Sequence, residues 1–581
     1  MNWGRTCYLI KSDIWRRAIN NGCPRNTRSF VQAALSPSAL AGTLFRLQHY
    51  FDSNNLYIFA KLIAVANIIL FSVEIGSKCD IDEGFCIGHA NGIVIHDRTR
   101  IGKNCTIMHQ AGLGLKKLDA PGKNDFTVLE DDVLVGAGAI VLGPLTIGQG
   151  SIIAMNSLVT HSAPANSLIA GCLAKIIRTI TEEERAPAEK MQRAWEKRPS
   201  CSLKETLLFI REDLINRART DGKPFTRSAY LRLFLNPPAL AVVLFRFCHW
   251  LDGHGLTFLV KLFNGINVIF FKTEIGAKAC IDGGFVVLHC NGVIINNQTK
   301  IGKNVVFAHH NTVSIGPRKD MDPENDFVTI GDNTFIGAGA RIIGNLTIGS
   351  NCIVAMNEVV RHSAPDNTIL VKGKNIPRPL EQDDKTEVKD DVPERMNPIP
   401  LRETMGLIKA DIQRRALCEG KKPGFYYYSK IILNPPALAV LLYRLSHYFR
   451  RREWNFTAKI LYIMNNLLFS VEIQPLAQIG PGLILNHANG ILIHDRSIIG
   501  KNCTLVFQNT LTVGPHSAGI KCHDRIVIDD DVTIGIGAKI IGPVHIGNRV
   551  IISAKSVVTK DAPEDALLFG IPARVVNRRR S

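Results

Sequence analysis

The chain has 581 residues, of which 46% are hydrophobic and 21% charged. This composition excludes wholesale disorder, and 47 Gly and 27 Pro exclude a collagen-like chain. The formal net charge of +18 fits a solvated basic surface, a polyanionic partner or a phosphate-bearing cofactor. The sequence contains no recognisable nucleic-acid-binding module, so we expect no nucleic acid partner.

The chain begins with MNWGRTCYLIKSDIWRR, which lacks an apolar run followed by a small-residue cleavage site, so we expect no signal peptide. The most apolar windows, 56–73, 256–271 and 460–471, are short and interrupted by Lys or Asn. They predict buried amphipathic helices rather than membrane spans. The 14 Cys show no CxxC pair, which indicates reduced thiols and a cytoplasmic protein.

One segment of the chain occurs three times in similar form. The string FSVEIGSKCDIDEGFCIGHANGIVIHD begins at Phe71, FKTEIGAKACIDGGFVVLHCNGVIINN at Phe271, and FSVEIQPLAQIGPGLILNHANGILIHD at Phe469. The segments upstream repeat in the same register, and the period is far longer than a solenoid repeat. The sequence therefore predicts three tandem repeats at 1–180, 203–371 and 401–581, joined by polar linkers at 181–202 and 372–400.

Each repeat begins with a helical half. Residues 204–218 and 402–417 carry apolar side chains at helical spacing, and the Asn-Pro-Pro before Ala239 and Ala437 predicts a helix start. A further helix is predicted just before each Glu-containing string. Arg46, Arg246 and Arg444 recur three residues before a His, and we interpret them as helix-packing or surface groups.

The second half of each repeat has a six-residue period. In the first repeat the series runs through Val135, Val141, Ile147, Ile153 and Val159. A period of six fits short strands joined by tight corners, with one aliphatic side chain per strand pointing inward. Three such hexapeptides close a triangular coil of about 18 residues. The sequence thus predicts an α+β chain of three tandem units, each a helical segment followed by a left-handed parallel β-helix.

The hexapeptide series, the helical lead-in, the HANG and HCNG turns, the IGAGA corners and the terminal FGIPARVV together resemble the serine acetyltransferase family of hexapeptide acyltransferases. The resemblance covers most of all three repeats except the linkers. It implies acetyl-CoA as donor, a small-molecule hydroxyl acceptor, and trimers whose active sites lie between neighbouring β-helices. With three β-helices in one chain, we expect a single-chain pseudotrimer, which could dimerise through its helical halves.

Each repeat carries a His in the turn that interrupts the hexapeptide count and a Glu 15 residues before it. The three predicted catalytic pairs are Glu74 with His89, Glu274 with His289, and Glu472 with His487. A carboxylate hydrogen-bonded to one ring nitrogen fixes the tautomer, and the other nitrogen can take a proton from an acceptor hydroxyl. The resembled family normally has Asp where these Glu stand.

The predicted acceptor pocket departs from the family. An Arg-His pair that holds the serine carboxylate in the family is replaced by Asp125-Phe126, Asp326-Phe327 and Asp524-Arg525. Free serine therefore loses its expected cationic clamp in the first two repeats, while the third keeps one cation, Arg525, beside His523. A sugar or another small hydroxyl compound is at least as good a candidate for the acceptor. The resemblance further implies an acceptor contact after the first helix of each repeat, where Asn21, Asp221 and Glu419 stand.

The resemblance places coenzyme A against the Gly-Ala corners. The implied residues are Gly138, Ala139, Gly339, Ala340, Gly537 and Ala538, with Arg341 and Lys539 following in the second and third repeats. Small residues are also needed simply to turn the coil.

Two other functions fit parts of the sequence. A zinc hydratase on a β-helix needs three converging His. The sequence offers His89 with His109, and His289 with His309 or His310, but the third repeat has Phe507 and Gln508 at the matching place. We therefore expect no metal. A non-catalytic scaffold or partner-binding protein is the alternative to the CoA-dependent O-acetyltransferase.

Overall fold

The computed structural model describes residues 1–20, 23–116, 122, 125–181, 201–222, 236–316, 326–378, 397–424, 427–428, 431–513 and 525–578. The chain divides into two compact units, Met1–Leu380 and Glu381–Ser581. The first compact unit contains the first and second repeats, and the second contains the third repeat. The fold confirms three repeated copies of helices followed by parallel strands.

Each repeat opens with helices. In the first repeat they are α1 (Trp3–Asn20), α2 (Thr27–Ala34), α3 (Pro37–Ser53) and α4 (Tyr57–Phe71). In the second they are α5 (Leu203–Thr220), α6 (Pro237–Gly253) and α7 (Thr257–Phe271). In the third they are α8 (Leu401–Cys418), α9 (Pro435–Arg451) and α10 (Asn455–Phe469), with a 3-10 turn at Ile431–Leu433.

The predicted helix starts are confirmed by their caps. The Asn236 side chain accepts a hydrogen bond from the backbone N–H of Ala239, and Asn434 accepts one from Ala437, with proline in the first turn of both helices. An amide oxygen at this place satisfies one of the backbone donors that a helix start leaves unpaired. Helices α4, α7 and α10 end at residues in the left-handed conformation, and at Lys272 the φ angle is 51°.

The three apolar windows form α4, α7 and α10, but these helices are not buried as predicted. In α7 only Asn267 and Val268 are buried, and Phe258 is 77% exposed. Most residues of their first turns are exposed, although Ala60 and Ala458 are buried there, and each last turn carries a buried residue. Within the described ranges, no helix combines the length and apolar content that crossing a membrane requires.

Among the described residues, fifteen short strands follow the helices in each repeat. In the first they are β1 (Val73–Ile75), β2 (Asp80–Ile81), β3 (Cys86–Ile87), β4 (Ile93–Ile95), β5 (Thr99–Ile101), β6 (Thr106–Ile107), β7 (Gly112–Leu115), β8 (Thr127–Leu129), β9 (Leu134–Val135), β10 (Ile140–Gly143), β11 (Leu145–Ile147), β12 (Ile152–Ile153), β13 (Leu158–Val159), β14 (Ser167–Ala170) and β15 (Lys175–Thr179).

In the second repeat they are β16 (Thr273–Ile275), β17 (Cys280–Ile281), β18 (Val286–Val287), β19 (Val293–Ile295), β20 (Thr299–Ile301), β21 (Val306–Phe307), β22 (Thr312–Ser314), β23 (Val328–Ile330), β24 (Phe335–Ile336), β25 (Arg341–Ile343), β26 (Leu346–Ile348), β27 (Ile353–Val354), β28 (Val359–Val360), β29 (Thr368–Val371) and β30 (Lys374–Pro377). Strand β30 lies past residue 371, the predicted end of this repeat.

In the third repeat they are β31 (Val471–Ile473), β32 (Gln478–Ile479), β33 (Ile484–Leu485), β34 (Ile491–Ile493), β35 (Ser497–Ile499), β36 (Thr504–Leu505), β37 (Thr510–Val513), β38 (Ile526–Ile528), β39 (Thr533–Ile534), β40 (Lys539–Gly542), β41 (Val544–Ile546), β42 (Ile551–Ile552), β43 (Val557–Val558), β44 (Ala566–Gly570) and β45 (Ala573–Arg578).

The strands of each repeat form three sheets in which parallel strands three positions apart along the chain pair, apart from the last two strands. In the first repeat the orders are β1-β4-β7-β10-β13, β11-β8-β5-β2 and β15-β14-β12-β9-β6-β3. Consecutive strands therefore lie on successive faces of a three-sided coil. A final antiparallel hairpin, β14 with β15 in the first repeat, closes each sheet of six strands. This arrangement is that of the predicted left-handed parallel β-helix.

The aliphatic series points into the coil, as the six-residue period predicts. In the first repeat the side chains of Val135, Val141, Ile147, Ile153 and Val159 are at most 1% exposed. They join one continuous core that runs up the coil axis. Burial of these side chains stabilises the stack by roughly 1.5–3 kcal/mol each.

A buried ion pair joins the helices to the first coil of each repeat. The Arg246 guanidinium contacts Asp213 of α5 at 2.8 Å and donates to the backbone carbonyls of Ile281 and Asp282. Arg46 pairs with Asp13, and Arg444 with Asp411, in the same way. This confirms the interpretation of the three arginines as packing groups.

A candidate active site between the first two repeats

The predicted catalytic turn is a corner with two extra residues. Inward-facing Ile87 and Ile95 stand eight residues apart instead of six, so the corner between β3 and β4 projects from the coil. Gly92 has a φ of 71° there, a conformation that favours glycine. The Asn91 amide donates to the backbone carbonyl of Lys272 at 2.7 Å, which fastens the turn of the first repeat to the second.

The carboxylate partner of His89 comes from the second repeat. His89 Nδ1 lies 2.8 Å from Oε2 of Glu274, which stands on β16. The spacing of 15 residues predicts Glu74 as the partner, but the structure pairs His89 with the corresponding Glu of the next repeat. Two contacts join the corner that carries His89 to the second repeat, one through His89 and one through Asn91.

Both members of the pair are about one-third exposed, His89 at 30% and Glu274 at 34%. Desolvation raises the pKa of Glu274, but the charge and hydrogen bond of His89, together with the charge of Arg17, outweigh it and hold the pKa below its usual range. Glu274 therefore stays ionised at neutral pH. An ionised carboxylate on Nδ1 holds the hydrogen on that nitrogen and leaves Nε2 as a base.

Arg17 is a site residue that the sequence reasoning missed. Its guanidinium, at the end of α1, donates to the backbone carbonyls of Ile87 and Gly88, the two residues before His89. Arg217 makes the same contacts with Val287 and Leu288, and Arg415 contacts the carbonyl of Leu485. The signal that could have found these arginines is their recurrence at the spacing of the repeats.

A cavity of about 290 Å³ opens beside the His89–Glu274 pair. The first repeat contributes His89, Met108, His109 and Met155 to its wall. The second repeat contributes Asp252, Val260, Asn264, Glu274, Gly276, Ala277, Lys278, Ile294, Ile295, Asn296, Asn297, Thr312, Val313 and Ser314. The cavity therefore lies between the repeats and combines apolar side chains with neutral amides, one cation and two carboxylates.

Behind the cavity, buried polar contacts hold the two repeats together. His109 Nε2 lies 2.7 Å from the Thr312 hydroxyl. The same hydroxyl accepts a hydrogen bond from the Arg341 guanidinium. Arg341 donates in addition to the side chains of Gln110 and Asn156 of the first repeat. Arg341 is 1% exposed, and burial lowers its pKa to about 9. This cation is therefore part of the interface and is not available to coenzyme A phosphates.

The remaining predicted catalytic residues keep their positions in their own repeats. His289 packs edge-on against His309, and His487 against Phe507, as His89 packs against His109. Glu472 is 3% exposed and accepts hydrogen bonds from the Tyr462 hydroxyl and the Asn466 amide. The roles of Glu74, His289, His487 and Glu472 stay predictions.

The predicted acceptor residues are not part of the cavity wall. The Asp125 carboxylate accepts from the backbone N–H of Gly122, and Asp326 accepts from the Asn345 amide at 2.6 Å. Asp221 and Glu419 pair with the recurring arginines Arg217 and Arg415 at 3.2 and 3.3 Å. Arg525 is exposed, and Asn21 and Asp524 lie outside the described residues.

The aromatic residues that replace the family's Arg-His pair stack on cations of their own repeat. The Phe126 ring lies 4.0 Å from the Arg100 guanidinium carbon, and Phe327 lies 4.0 Å from the Lys300 amine. Each phenylalanine therefore covers a neighbouring positive charge that a carboxylate could otherwise approach.

The Gly-Ala corners predicted to contact coenzyme A are buried. This holds for all six residues: Gly138, Ala139, Gly339, Ala340, Gly537 and Ala538. A Cβ on Gly138 would lie 2.6 Å from the Arg341 guanidinium, so the neighbouring repeat already occupies the space beside this corner. Lys539 is also buried, and its amine donates to Gln508 and Thr510. The contact of coenzyme A with these corners stays a prediction.

In the part of the chain that the structure describes, no group of three or more His, Cys, Asp and Glu side chains could hold a metal ion. His109, which the zinc hydratase would require, is fully buried against Thr312. Burial first, and then the charge of Arg341, holds the pKa of His109 well below its ordinary value. His109 is therefore a neutral interface residue.

Comparison with known proteins supports one family. Models described as "Bacterial transferase hexapeptide (six repeats)" match residues 327–361 and 525–560, and "Hexapeptide repeat of succinyl-transferase" matches 127–161. Over 155 residues, or 26% of this chain, the sequence is 36% identical to a serine acetyltransferase of Bacillus pumilus and covers 70% of that protein. Over 148 residues, also 26% of this chain, it is 32% identical to a serine acetyltransferase of Synechococcus elongatus and covers 59% of that protein.

A crystal structure of a serine acetyltransferase from Brucella abortus in complex with coenzyme A is similar to a part of this chain. The match covers 31% of this chain and 69% of the Brucella protein, at 27% sequence identity and a TM-score of 0.28.

Proposed function

Because this chain belongs to the serine acetyltransferase family of hexapeptide-repeat acyltransferases, we propose that it transfers an acetyl group from acetyl-CoA to a hydroxyl of a small molecule. The reaction takes place in the cavity between the first and second repeats. The observation that carries the proposal is the 2.8 Å contact between His89 and Glu274, which assembles a general base at the edge of this cavity.

The proposed mechanism uses no covalent enzyme intermediate. Nε2 of His89 takes the proton of the acceptor hydroxyl while the hydroxyl oxygen attacks the thioester carbon. Glu274 stabilises the imidazolium that forms. When the tetrahedral intermediate collapses, the carbon–sulfur bond breaks, and the imidazolium returns the proton to the sulfur of coenzyme A. The apolar wall at Met108, Met155 and Val313 suits the uncharged arm that carries the thioester.

We propose a sugar or another neutral hydroxyl compound, in preference to serine, as the acceptor in this cavity. Asn264, Asn296 and Asn297 supply neutral amides to the wall, and such groups suit hydroxyls. Where the resemblance implies a carboxylate clamp, the ring of Phe327 stacks on Lys300. Lys278 is the cation in the wall that could hold a carboxylate, so turnover with serine would assign that role to Lys278.

The test isolates the His89 site. In a background with His289→Ala and His487→Ala, coenzyme A release from acetyl-CoA is measured with serine and with a panel of sugars and polyols. We expect turnover that His89→Ala lowers by ~10²-fold to 10⁴-fold, the usual contribution of a general base. Glu274→Gln should lower kcat by at least ~10-fold, because a neutral amide no longer fixes the tautomer or stabilises the imidazolium.

Glu74→Gln in the same background separates the pairing across the repeats from the pairing within one repeat. We expect it to lower kcat far less than Glu274→Gln. The opposite order would mean that His89 works with Glu74. If the chain neither binds acetyl-CoA nor turns over any acceptor, the proposed acetyltransferase activity is contradicted and a non-catalytic scaffold is favoured.

The single-chain pseudotrimer and its dimerisation through the helical halves stay predictions. Light scattering of the purified chain tests both. We expect the mass of one chain or of two, and a mass of three chains would contradict the pseudotrimer.

A further inference from the structure

One buried nitrogen beside the candidate active site has no role in the mechanism above. His109 Nδ1 is buried and has no hydrogen-bond partner among the residues that the structure describes. The same imidazole lines the cavity, and its ring packs edge-on against His89 with 5.3 Å between the ring centres. A buried donor or acceptor without a partner is costly, so such an atom calls for an explanation.

The contacts on the other side of the ring favour the tautomer that carries its hydrogen on Nδ1. The Thr312 hydroxyl accepts from the Arg341 guanidinium, so its own hydrogen is left to donate to His109 Nε2, 2.7 Å away. With Nε2 acting as acceptor, a neutral imidazole carries its hydrogen on Nδ1. Burial and the charge of Arg341 keep His109 neutral. The unpartnered atom is therefore an N–H donor.

We propose that the Nδ1–H of His109 is a catalytic donor, which receives the carbonyl oxygen of the acetyl thioester in this cavity. This inference rests on the proposed function. As the hydroxyl oxygen attacks, the carbonyl electron pair moves to the oxygen, and the donor stabilises the negative charge that develops there. The same interaction is released when the carbonyl re-forms and the carbon–sulfur bond breaks. His109 gives up no proton, and His89 carries the only proton that is transferred.

The second repeat thus contributes to the site of the first repeat in two ways. Glu274 orients the base, and Thr312 with Arg341 orients the donor. The third repeat has Phe507 at the position of His109, packed against His487 in the same edge-on manner. Phenylalanine has no N–H, so His109→Phe removes the donor while keeping a ring that the fold already accepts at this position.

The test compares His109→Phe with His109→Gln in the background that keeps only the His89 site. Loss of one such donor typically lowers kcat by ~10²-fold to 10³-fold. We expect a loss of this size for the Phe variant, with the KM for acetyl-CoA changed less than kcat. Glutamine has a side-chain N–H, so His109→Gln should recover at least ~10-fold of that loss. Thr312→Val removes the hydroxyl that contacts Nε2 of His109, so the hydrogen is no longer held on Nδ1. This variant should lower kcat although the imidazole is still present.

Thermal melting and coenzyme A binding of each variant show whether the fold and the cleft are intact. Equal kcat for His109→Phe and the parent would overturn the inference, and so would equal losses for the Phe and Gln variants. A parent that fails to transfer acetyl groups, or that is unaffected by His89→Ala, would instead contradict the proposed function.

Discussion

Arg17 shows how one side chain can organise the candidate site without facing the cavity. It holds the two carbonyls before His89, and its charge helps to keep Glu274 ionised. Removing it should let the turn shift and should raise the pKa of Glu274, since a nearby cation is lost. Small displacements of a catalytic group can cost up to ~10²-fold in rate.

We therefore expect Arg17→Met, in the background that keeps only the His89 site, to lower kcat by roughly 10-fold to 100-fold. The acid limb of its pH–rate profile should move, because Glu274 then takes up a proton at higher pH. Arg16→Met is the matched control, since Arg16 lies on the same turn of α1 but donates to the Asn104 carbonyl. Equal losses for the two variants would mean that Arg17 only supports the helix.

At this scale the sequence could predict the type of side chain but not its partner. The His in the irregular turn and the recurring Glu were visible, and the chemistry of a carboxylate on an imidazole is general. The contact joins residues 185 positions apart, however, and the sequence offers three equivalent Glu, at 74, 274 and 472, as partners for His89. Spacing within one repeat cannot show which copy supplies the carboxylate, because the choice depends on how two coils pack.

The helices illustrate how a buried titratable group affects the stability of an element. His447 of α9 is 6% exposed and lies 2.7 Å from the Pro475 carbonyl. Burial lowers its pKa to about 4. In the unfolded chain a His has a pKa of about 6.5, so the unfolded state binds the proton first as the pH falls. The stability contribution is full above pH 6.5 and is lost as the pH falls toward 4.

When the pH is lowered from 7 to 5, the protonation of His447 in the unfolded chain should therefore lower the free energy of unfolding by roughly 2 kcal/mol. Denaturant unfolding at both pH values measures this loss. His447→Gln keeps an N–H for the carbonyl and should remove that part of the pH dependence. His254→Gln is the control, because His254 is exposed. A wild-type pH dependence in the His447→Gln variant would contradict the assignment.

The positions of helices and strands are the part of this fold that local sequence predicts well. The six-residue period placed Val135, Val141 and Ile147 in the core, because each coil repeats the same inward position. Helix starts were predicted from Asn-Pro-Pro because a cap depends only on adjacent residues. The exposure of α4, α7 and α10 was not predicted, since burial depends on what packs against an element.

The first compact unit is held together by polar contacts that cross between its two repeats. Arg341 bonds to Gln110 and Asn156 of the first repeat, and the Lys272 amine donates to the carbonyls of Ile69 and Leu70 at the end of α4. These groups are buried, so the removal of one partner leaves the others without hydrogen bonds. Each orphaned group costs about 1–3 kcal/mol.

We expect Arg341→Ile to destabilise the first compact unit by several kcal/mol, of the order of 3–5, and to expose the junction of the repeats to limited proteolysis. Arg341→Lys should cost less, because Lys539 bonds the equivalent threonine and backbone carbonyl in the third repeat. Thermal melting of the full chain distinguishes the variants. If Ile and Lys cost the same, the hydrogen bonds of Arg341 add little to the junction.

The positions equivalent to Arg341 are Ile140 in the first repeat and Lys539 in the third. In an assembly of identical subunits, one gene position sets every copy, so a favourable substitution at one junction is imposed on all the others. Tandem duplication removes that restriction. Each junction can then evolve separately. A mutation in one copy can also affect the histidine of another, as a change at Glu274 would affect His89. The first and second repeats can thus diverge from each other, but deletion of the second would remove Glu274, the partner of His89.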